Sequence, residues 1–233
     1  MKKKIVITGG SGRFGSYFKK IKTNYNIFFP NKKNLDIRNT TSISKYLKKI
    51  KPKYLIHIAG LSRPMNLHDK NIEKSINLNI VGTCNLVSEC SKQKIKIIYI
   101  SSSYVYPGTK GNYKETDPVL PWNNYGWSKL GGEAAVQMYK KSLILRVCMT
   151  ERPFIHKRAY ANVKSNFIYH ENLPKIIMKI LNKKGVINLG GQSQTIYNFV
   201  KRDLKLIKKK FSKGEFPKRQ DMNLGKLKKI IKL

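Results

Sequence analysis

Two residues with complementary chemistry stand four positions apart in the segment Tyr125–Lys141, which is predicted to be helical. Tyr125 and Lys129 would share one face of that helix, because residues four apart lie one turn above each other. A lysine ammonium beside a phenol lowers the phenol pKa from about 10 toward neutrality, which makes the tyrosine a usable acid or base. Ser102, at the end of a predicted strand, could hold a substrate oxygen within reach of that tyrosine. The spacing Tyr-x-x-x-Lys alone is common by chance, so its meaning depends on the elements around it.

A glycine-rich turn lies between a short β-branched strand, Lys4–Thr8, and the first predicted helix, Arg13–Thr23. Gly9 would allow the tight turn, Gly12 the approach of backbone N–H groups to a pyrophosphate, and Gly15 close helix–sheet packing. The N-terminus of the helix would face the phosphates with its partial positive charge. The alternative is a plain glycine turn. The position between a first strand and a first helix favours a dinucleotide site.

Strand and helix signals alternate along the first 150 residues. Predicted strands are Lys4–Thr8, Tyr25–Phe29, Tyr54–Ala59, Ile95–Ser101 and Leu143–Val147, and predicted helices are Arg13–Thr23, Thr40–Lys51, Asn71–Lys92 and Tyr125–Lys141. This alternation predicts βαβ crossovers and an α/β fold with a doubly wound parallel sheet of the Rossmann type. Beyond it, the pattern weakens to a helix, a short strand and a basic helix at Asn172–Asn182, Gly185–Gly190 and Ile196–Phe211. We therefore expect an NAD(P)-binding Rossmann domain over 1–150 and a small, shortened C-terminal substrate lobe over 151–233.

The end of the second predicted strand bears on which dinucleotide would bind. An NAD-preferring site usually has an acidic residue there, which hydrogen-bonds the ribose 2′-hydroxyl. Here Pro30 and Asn31 lead instead to Lys32 and Lys33. These lysines could receive a 2′-phosphate, although they could equally be two more surface lysines in a lysine-rich chain. The expected cofactor is NADP or NAD, and the lysines favour NADP.

Further motifs follow these in a recognisable order. They are Leu35–Ile37, Ala59–Gly60, Asn79–Thr83, Ser102–Gly108, Glu115–Asp117, Pro121, Tyr125–Glu133 and Phe167–Leu173. In these stretches the chain resembles the extended short-chain dehydrogenase/reductase superfamily, and it is most similar to dTDP-4-dehydrorhamnose reductases. The resemblance covers nearly all of 1–148 and is patchy beyond. It implies NAD(P)H-dependent reduction of a keto group on a nucleotide-linked sugar of the 4-keto-6-deoxy type.

The resemblance also implies roles for individual residues. Tyr125 would donate the proton, Lys129 would bind the nicotinamide ribose and tune Tyr125, and Ser102 would orient the sugar carbonyl. Ser103 would lie against the substrate with Ser102 and Tyr125. The cofactor would be contacted by Tyr125 and Lys129 and by Gly9, Gly12, Arg13, Phe14, Gly15, Asp36, Ile37, Ala59 and Gly60.

The chain departs from the resembled pattern beside Ser102. The rhamnose enzymes usually have an aspartate at the position of Ser103, and related dehydratases have an Asp-Glu pair at the positions of Ser103 and Tyr104. Without that pair, dehydration is not expected. One alternative is a nucleotide-sugar epimerase on the same scaffold. A second alternative is a non-catalytic, basic Rossmann-fold protein that binds RNA or acts as a regulator.

Composition sets the remaining expectations. The 233 residues include 48 Lys and Arg against 12 Asp and Glu, a net charge of +36, which predicts weak non-specific binding of polyanions. Compositional drift could explain the same excess. Three cysteines cannot form a disulfide framework, no apolar run reaches membrane length, and the four histidines lack metal-ligand spacing. We expect a cytoplasmic protein without a metal or membrane partner, and possible homodimers through the segments near 75–92 and 125–141.

Overall fold

The strands and helices alternate in the computed structural model, which describes residues 2–231. The strands are β1 (Lys4–Thr8), β2 (Asn26–Phe28), β3 (Tyr54–His57), β4 (Lys96–Ser102), β5 (Ser142–Val147), β6 (Met149–Thr150), β7 (Arg158–Tyr160), β8 (Lys164–Ser165), β9 (Ile168–Tyr169), β10 (Gly185–Leu189), β11 (Gln194–Thr195) and β12 (Lys208–Lys210). The α-helices are α1 (Thr40–Ile50), α2 (Leu67–Lys70), α3 (Ile72–Ser75), α4 (Gly82–Lys92), α5 (Asn124–Gln137), α6 (Leu173–Lys179), α7 (Ile196–Lys201) and α8 (Gly225–Ile231).

Six strands form one parallel sheet in the order β10-β5-β4-β3-β1-β2. The predicted α/β fold with a doubly wound parallel sheet is therefore confirmed. The chain runs from β1 outward to β2 and then returns to β3 on the other side of β1. Ligands bind open parallel sheets at such a reversal, beyond the carboxyl ends of the strands. This places the candidate site next to the loops that follow β1 and β3.

Each face of the sheet has its own apolar core, because side chains alternate between the two faces along a strand. In β4, Ile98 and Ile100 pack on one face with Phe14 and Phe18, together with residues of α6 and α8. Tyr99 and its neighbour Ile97 pack on the other face with residues of α1, α4 and α5. Burial on both faces explains the nearly continuous apolar sequence of this strand.

The predicted helix over Arg13–Thr23 is wrong. The segment forms a shorter 3₁₀ turn over Gly15–Lys20, without a side-chain hydrogen bond at its N-cap and without an acidic residue in its first turn. Its central residues Tyr17 and Phe18 have only moderate helix propensity. The packing of Phe14 and Phe18 in the core holds the turn, but nothing local extends it into an α-helix.

The third predicted helix, Asn71–Lys92, is helical almost throughout, but its helix type changes along the segment. Between α3 and α4 the chain winds as a π-helix over Ile76–Val81. The widened turn brings Asn79 into the interior, where its side chain donates to Ser128 Oγ on α5 at 2.8 Å. π-type turns often occur at functional sites. Here the widened turn ties this helical segment to the helix that carries Tyr125.

The predicted basic helix over Ile196–Phe211 is correct only in its first turns. Helix α7 ends at Lys201, and β12 pairs in parallel with β7, so that Lys208 lies opposite Arg158. Ile207 is buried in a small core with Val200 and residues of β7. This long-range packing outweighs the local helical pattern.

The C-terminal part contributes directly to the main sheet, since β10 pairs with β5 along its whole length. The division into segments 1–150 and 151–233 stays a prediction. No helix among residues 2–231 has the length and apolar character needed to cross a membrane.

Candidate active site

The serine, tyrosine and lysine singled out in the sequence line one cavity of about 390 Å³. Ser102 ends β4, and its hydroxyl accepts from the backbone N–H of Tyr104 at 3.2 Å. Tyr125 lies in the first turn of α5, and Lys129 lies one turn later. The helix begins there because the Asn123 side chain caps it, accepting from Gly126 N at 2.8 Å. The strand end and the helix start thus bring the three side chains to one cavity.

Tyr125 does not show the lowered pKa that the sequence predicts. Burial raises the pKa of the Tyr125 phenol above its ordinary value of 10, while the Ser102 hydroxyl and the Arg63 charge oppose the rise. The low polarity around the ring disfavours the phenolate. At neutral pH the phenol is therefore protonated, which is the form that donates a proton.

Lys129 is one of the strongly perturbed groups of this cavity. Burial lowers the pKa of the Lys129 ammonium to about 7, and the neighbouring carboxylate of Glu133 opposes this change. Its Nζ lies 4.3 Å from the centre of the Tyr99 ring, a cation–π distance. A pKa near neutrality lets this ammonium respond to a small change in nearby charge.

The glycine turn has the tight geometry expected of a phosphate loop. Gly9 has φ +74°, and a Cβ there would lie 2.7 Å from the backbone nitrogen of Ala59. A Cβ on Gly15 would lie 2.2 Å from the Gly9 carbonyl oxygen. The Gly12 N–H donates to that same carbonyl oxygen at 3.0 Å and closes the turn. No side chain fits at Gly9 or Gly15 without displacing backbone.

A second cavity of about 570 Å³ continues from the glycine turn, and the two share Gly9, Ser11, Ala59 and Gly60 in their linings. Asp36 and Ile37 line this second cavity, as does Lys32. The Asp36 carboxylate accepts from Arg38 Nη2 at 2.7 Å, and this hydrogen bond holds the pKa of Asp36 at about 2.

The cofactor residues expected from the sequence are thus distributed over one elongated cleft. Arg13, Phe14, Gly12 and Gly15 line the Tyr125 end of it. Lys33 does not line either cavity, so only Lys32 of the lysine pair faces the cleft. The two joined cavities, one at each side of the glycine turn, thus form one continuous cleft.

Ser103 is buried and lines the first cavity beside Ser102. The adjoining wall is aromatic. The Tyr104 ring lies 5.7 Å from that of Tyr125 and 5.2 Å from that of Trp122, and Phe216 closes the group 4.9 Å from Trp122. Among residues 2–231, no cluster of three or more His, Cys, Asp or Glu side chains is placed to hold a metal ion.

Sequence reasoning missed two charged residues of the cavity, Arg63 and Glu151. Both lie in loops at the carboxyl edge of the sheet, Arg63 after β3 and Glu151 after β6. Their position after strands was the only available signal, since neither belongs to a motif. His170, which the sequence left undecided, is buried in the lining and packs 5.5 Å from the Phe14 ring.

Comparisons with known proteins agree with this architecture. Residues 2–151 match the family model described as RmlD substrate binding domain. Methionine adenosyltransferase 2 subunit beta of Xenopus tropicalis is 32% identical over 143 residues, which are 58% of this chain and 42% of that protein. dTDP-4-dehydrorhamnose reductase of Aggregatibacter actinomycetemcomitans is 28% identical over 152 residues, 63% of this chain and 51% of that protein. The chain thus spans about half the length of these curated relatives.

Solved structures extend the likeness to the whole chain at the level of the fold. The dTDP-4-dehydrorhamnose reductase of Bacillus anthracis, solved in complex with NADP, superposes with a TM-score of 0.87 at 22% identity, covering 98% of this chain and 91% of that one. The UDP-glucose 4-epimerase of Thermus thermophilus, solved with NAD, superposes with a TM-score of 0.76 at 16% identity, covering 96% and 91%.

Proposed function

Because the chain belongs to the RmlD substrate binding domain family, we propose that it catalyses NAD(P)H-dependent reduction of a keto group on a nucleotide-linked sugar. The observation that carries this proposal is the meeting of Ser102, Tyr125 and Lys129 in a cavity that continues past the glycine turn. The relative named dTDP-4-dehydrorhamnose reductase supports a substrate of the 4-keto-6-deoxy type.

The cleft fits a nicotinamide dinucleotide. The missing Cβ atoms of Gly9 and Gly15 leave the backbone room to approach phosphates, and Asp36 and Ile37 line the far cavity where an adenosine would lie. Lys129, which lines the same cavity as Tyr125, would hydrogen-bond the ribose next to the nicotinamide. When bound, the reduced nicotinamide would supply the hydride.

The residues of this chain would handle the substrate oxygen and its proton. The Ser102 hydroxyl would donate a hydrogen bond to the sugar carbonyl and hold it near the phenol of Tyr125. Tyr125 would pass its proton to that oxygen as negative charge develops there. The ammonium of Lys129 would stabilise the resulting phenolate, and the aromatic wall would exclude water from the reaction.

Two alternative functions make different predictions. A nucleotide-sugar epimerase could use the same cavity, and it would return its cofactor unchanged. A non-catalytic RNA-binding or regulatory protein is the second alternative, and the relatives named as a subunit beta support a role within an assembly. Stoichiometric oxidation of NADPH by a 4-keto nucleotide sugar would exclude both. Sequence-selective RNA binding that survives physiological salt would instead support a nucleic-acid role for the basic surface.

Titration of the protein with NADPH and NADH tests the cofactor site. We expect saturable binding of both at physiological salt, tighter than ATP, with NADPH preferred because Lys32 reaches the cleft. Lys32→Gln should weaken NADPH about tenfold, the worth of one charge-assisted hydrogen bond, and leave NADH unchanged. Lys33→Gln removes the same charge outside the cleft and is the matched control. Equal losses of NADPH affinity in both variants would assign the effect to the overall charge. Lys32 would then not be the residue that recognises the 2′-phosphate.

The outer surface of two adjoining helical segments supports the proposed homodimer. Exposed apolar side chains there are Ile72, Ile76, Val81, Trp127 and Met138. Residues 75–88 contain no charged side chain, although the chain as a whole carries +36. Within α5, the charged Lys129 and Glu133 are directed to the interior. A helical surface that is uncharged over residues 75–88, on so basic a protein, fits a second copy of itself.

Sedimentation velocity tests this surface. We expect the wild-type chain to sediment as a dimer and Trp127→Glu to sediment as a monomer, since the new carboxylate would be buried without a partner. Leu206→Glu, at an equally apolar but unrelated exposed position, should stay dimeric. A monomeric wild-type chain at micromolar concentration would refute the dimer.

A further inference from the structure

One carboxylate bridges two arginines at the mouth of the cleft. Glu151 Oε2 accepts from Arg63 Nη1 at 2.5 Å, and Glu151 Oε1 lies 3.3 Å from Arg13 Nε. The glycine turn supplies Arg13, the loop after β3 supplies Arg63, and the loop after β6 supplies Glu151. The ion pairs thus join three loops that meet at the carboxyl edge of the sheet.

The charges in this cavity make Glu151 unusual. It is the sole acidic residue among the residues that line the Tyr125 cavity, beside the basic Arg13, Arg63 and Lys129. The Glu151 side chain is only 15% exposed, whereas Arg13 is 56% exposed. The cavity therefore holds a carboxylate between its two guanidinium groups.

Carboxylates and phosphates bind guanidinium groups through the same pattern of paired hydrogen bonds. Arg13 stands on the glycine turn, whereas the charge of Arg63 also reaches Tyr125, where it opposes the rise in the phenol pKa that burial causes. The pair therefore spans the region between the phosphate loop and the reacting tyrosine. A diphosphate group placed there would find two arginines already held at a short separation by one carboxylate.

We propose that Arg13 and Arg63 form a diphosphate-binding site that the Glu151 carboxylate occupies in the free protein and that a ligand must take over. The inference rests on the proposed function, because the diphosphate would come from the dinucleotide or from the nucleotide sugar. Glu151 lowers the affinity of the site for either ligand, because the ligand must first displace the contacts of Glu151 with Arg13 and Arg63. An uncharged sugar cannot displace it, so the arginines are released only to a ligand that carries phosphate.

Calorimetric titration with three probes tests this site: inorganic pyrophosphate, ADP-ribose and UDP-glucose. Glu151→Gln should bind at least one of the nucleotide probes, and pyrophosphate, about threefold more tightly, as expected for the loss of a partly exposed ion pair. Arg63→Gln should bind the same probes about tenfold more weakly. In the double variant the gain from Glu151→Gln should become smaller, because the carboxylate would then compete only for Arg13.

Asp117→Asn is the matched control, since Asp117 pairs with Lys110 at 3.1 Å outside both cavities. It raises the net charge by the same amount and should leave all three affinities unchanged. Tightening of ADP-ribose alone would assign the site to the dinucleotide, and tightening of UDP-glucose alone to the sugar nucleotide. Unchanged or weaker binding of pyrophosphate by Glu151→Gln, or a gain of undiminished size in the double variant, would overturn the inference. If the protein binds pyrophosphate as expected but does not oxidise NADPH with any 4-keto nucleotide sugar, the proposed reductase activity is refuted and the diphosphate site still stands.

Discussion

Replacing Tyr125 with phenylalanine is expected to lower turnover by about 10²–10⁴-fold, the usual contribution of a general acid. The variant keeps the ring that packs against Tyr104 and His68 but loses the proton that the carbonyl oxygen needs. Turnover is followed as NADPH oxidation with the best substrate of a panel of 4-keto-6-deoxy nucleotide sugars. Dinucleotide affinity should fall much less than turnover, because the phenol is only one of several expected cofactor contacts whereas its proton is needed by the sugar oxygen.

Tyr139→Phe provides the control for this substitution. Tyr139 lies just beyond the same helix, is partly buried, and donates its hydroxyl proton to the Cys90 carbonyl oxygen at 3.2 Å; neither residue lines the cavity. Its loss removes a comparable phenol without touching the site, so turnover should stay near that of the wild type. Turnover of Tyr125→Phe within a few-fold of wild type would refute the assigned proton donor, although the dinucleotide site could still stand.

The sequence predicted the sheet well because its strands are buried on both faces. A continuous apolar run such as that of β4 leaves little choice but an interior strand. The local sequence pattern predicted the wrong secondary structure where the stabilising contacts come from residues distant in sequence. The first predicted helix is instead a 3₁₀ turn, held by the packing of Phe14 and Phe18 in the core. The end of the predicted basic helix is a strand, because Ile207 packs in a core formed by residues distant in sequence.

The same division holds for the candidate site. Ser102, Tyr125 and Lys129 could be placed together because strand ends and helix starts meet at one edge of a parallel sheet. The direction of the Tyr125 pKa could not be foreseen, because it depends on burial that no motif encodes. Arg63 and Glu151 were missed because their significance lies in a contact across 88 residues of sequence.

Glu133 shows how a motif residue can act through a partner that the motif does not contain. It lies one turn beyond Lys129 on α5, and its side chain and that of Arg146 are 5% and 7% exposed. Glu133 Oε1 accepts from Arg146 Nε at 2.9 Å, and Oε2 accepts from Ser101 Oγ at 2.8 Å. Arg146 Nη1 also donates to the Tyr106 hydroxyl at 2.8 Å, so the network ties α5 to β4 and β5 directly behind the site.

Glu133→Gln should lower the free energy of unfolding by about 3–5 kcal/mol, because it leaves the Arg146 charge buried without its counter-ion. Urea denaturation, monitored by tryptophan fluorescence, measures this loss. Asp117→Asn, which breaks the more exposed pair with Lys110, should cost no more than about 1 kcal/mol. Similar small losses in both variants would mean that water or a neighbouring group neutralises Arg146. A large loss of unfolding free energy confined to Glu133→Gln would instead support the Glu133–Arg146 pair as the contact that holds helix α5, with Tyr125 and Lys129, against the strand that carries Ser102.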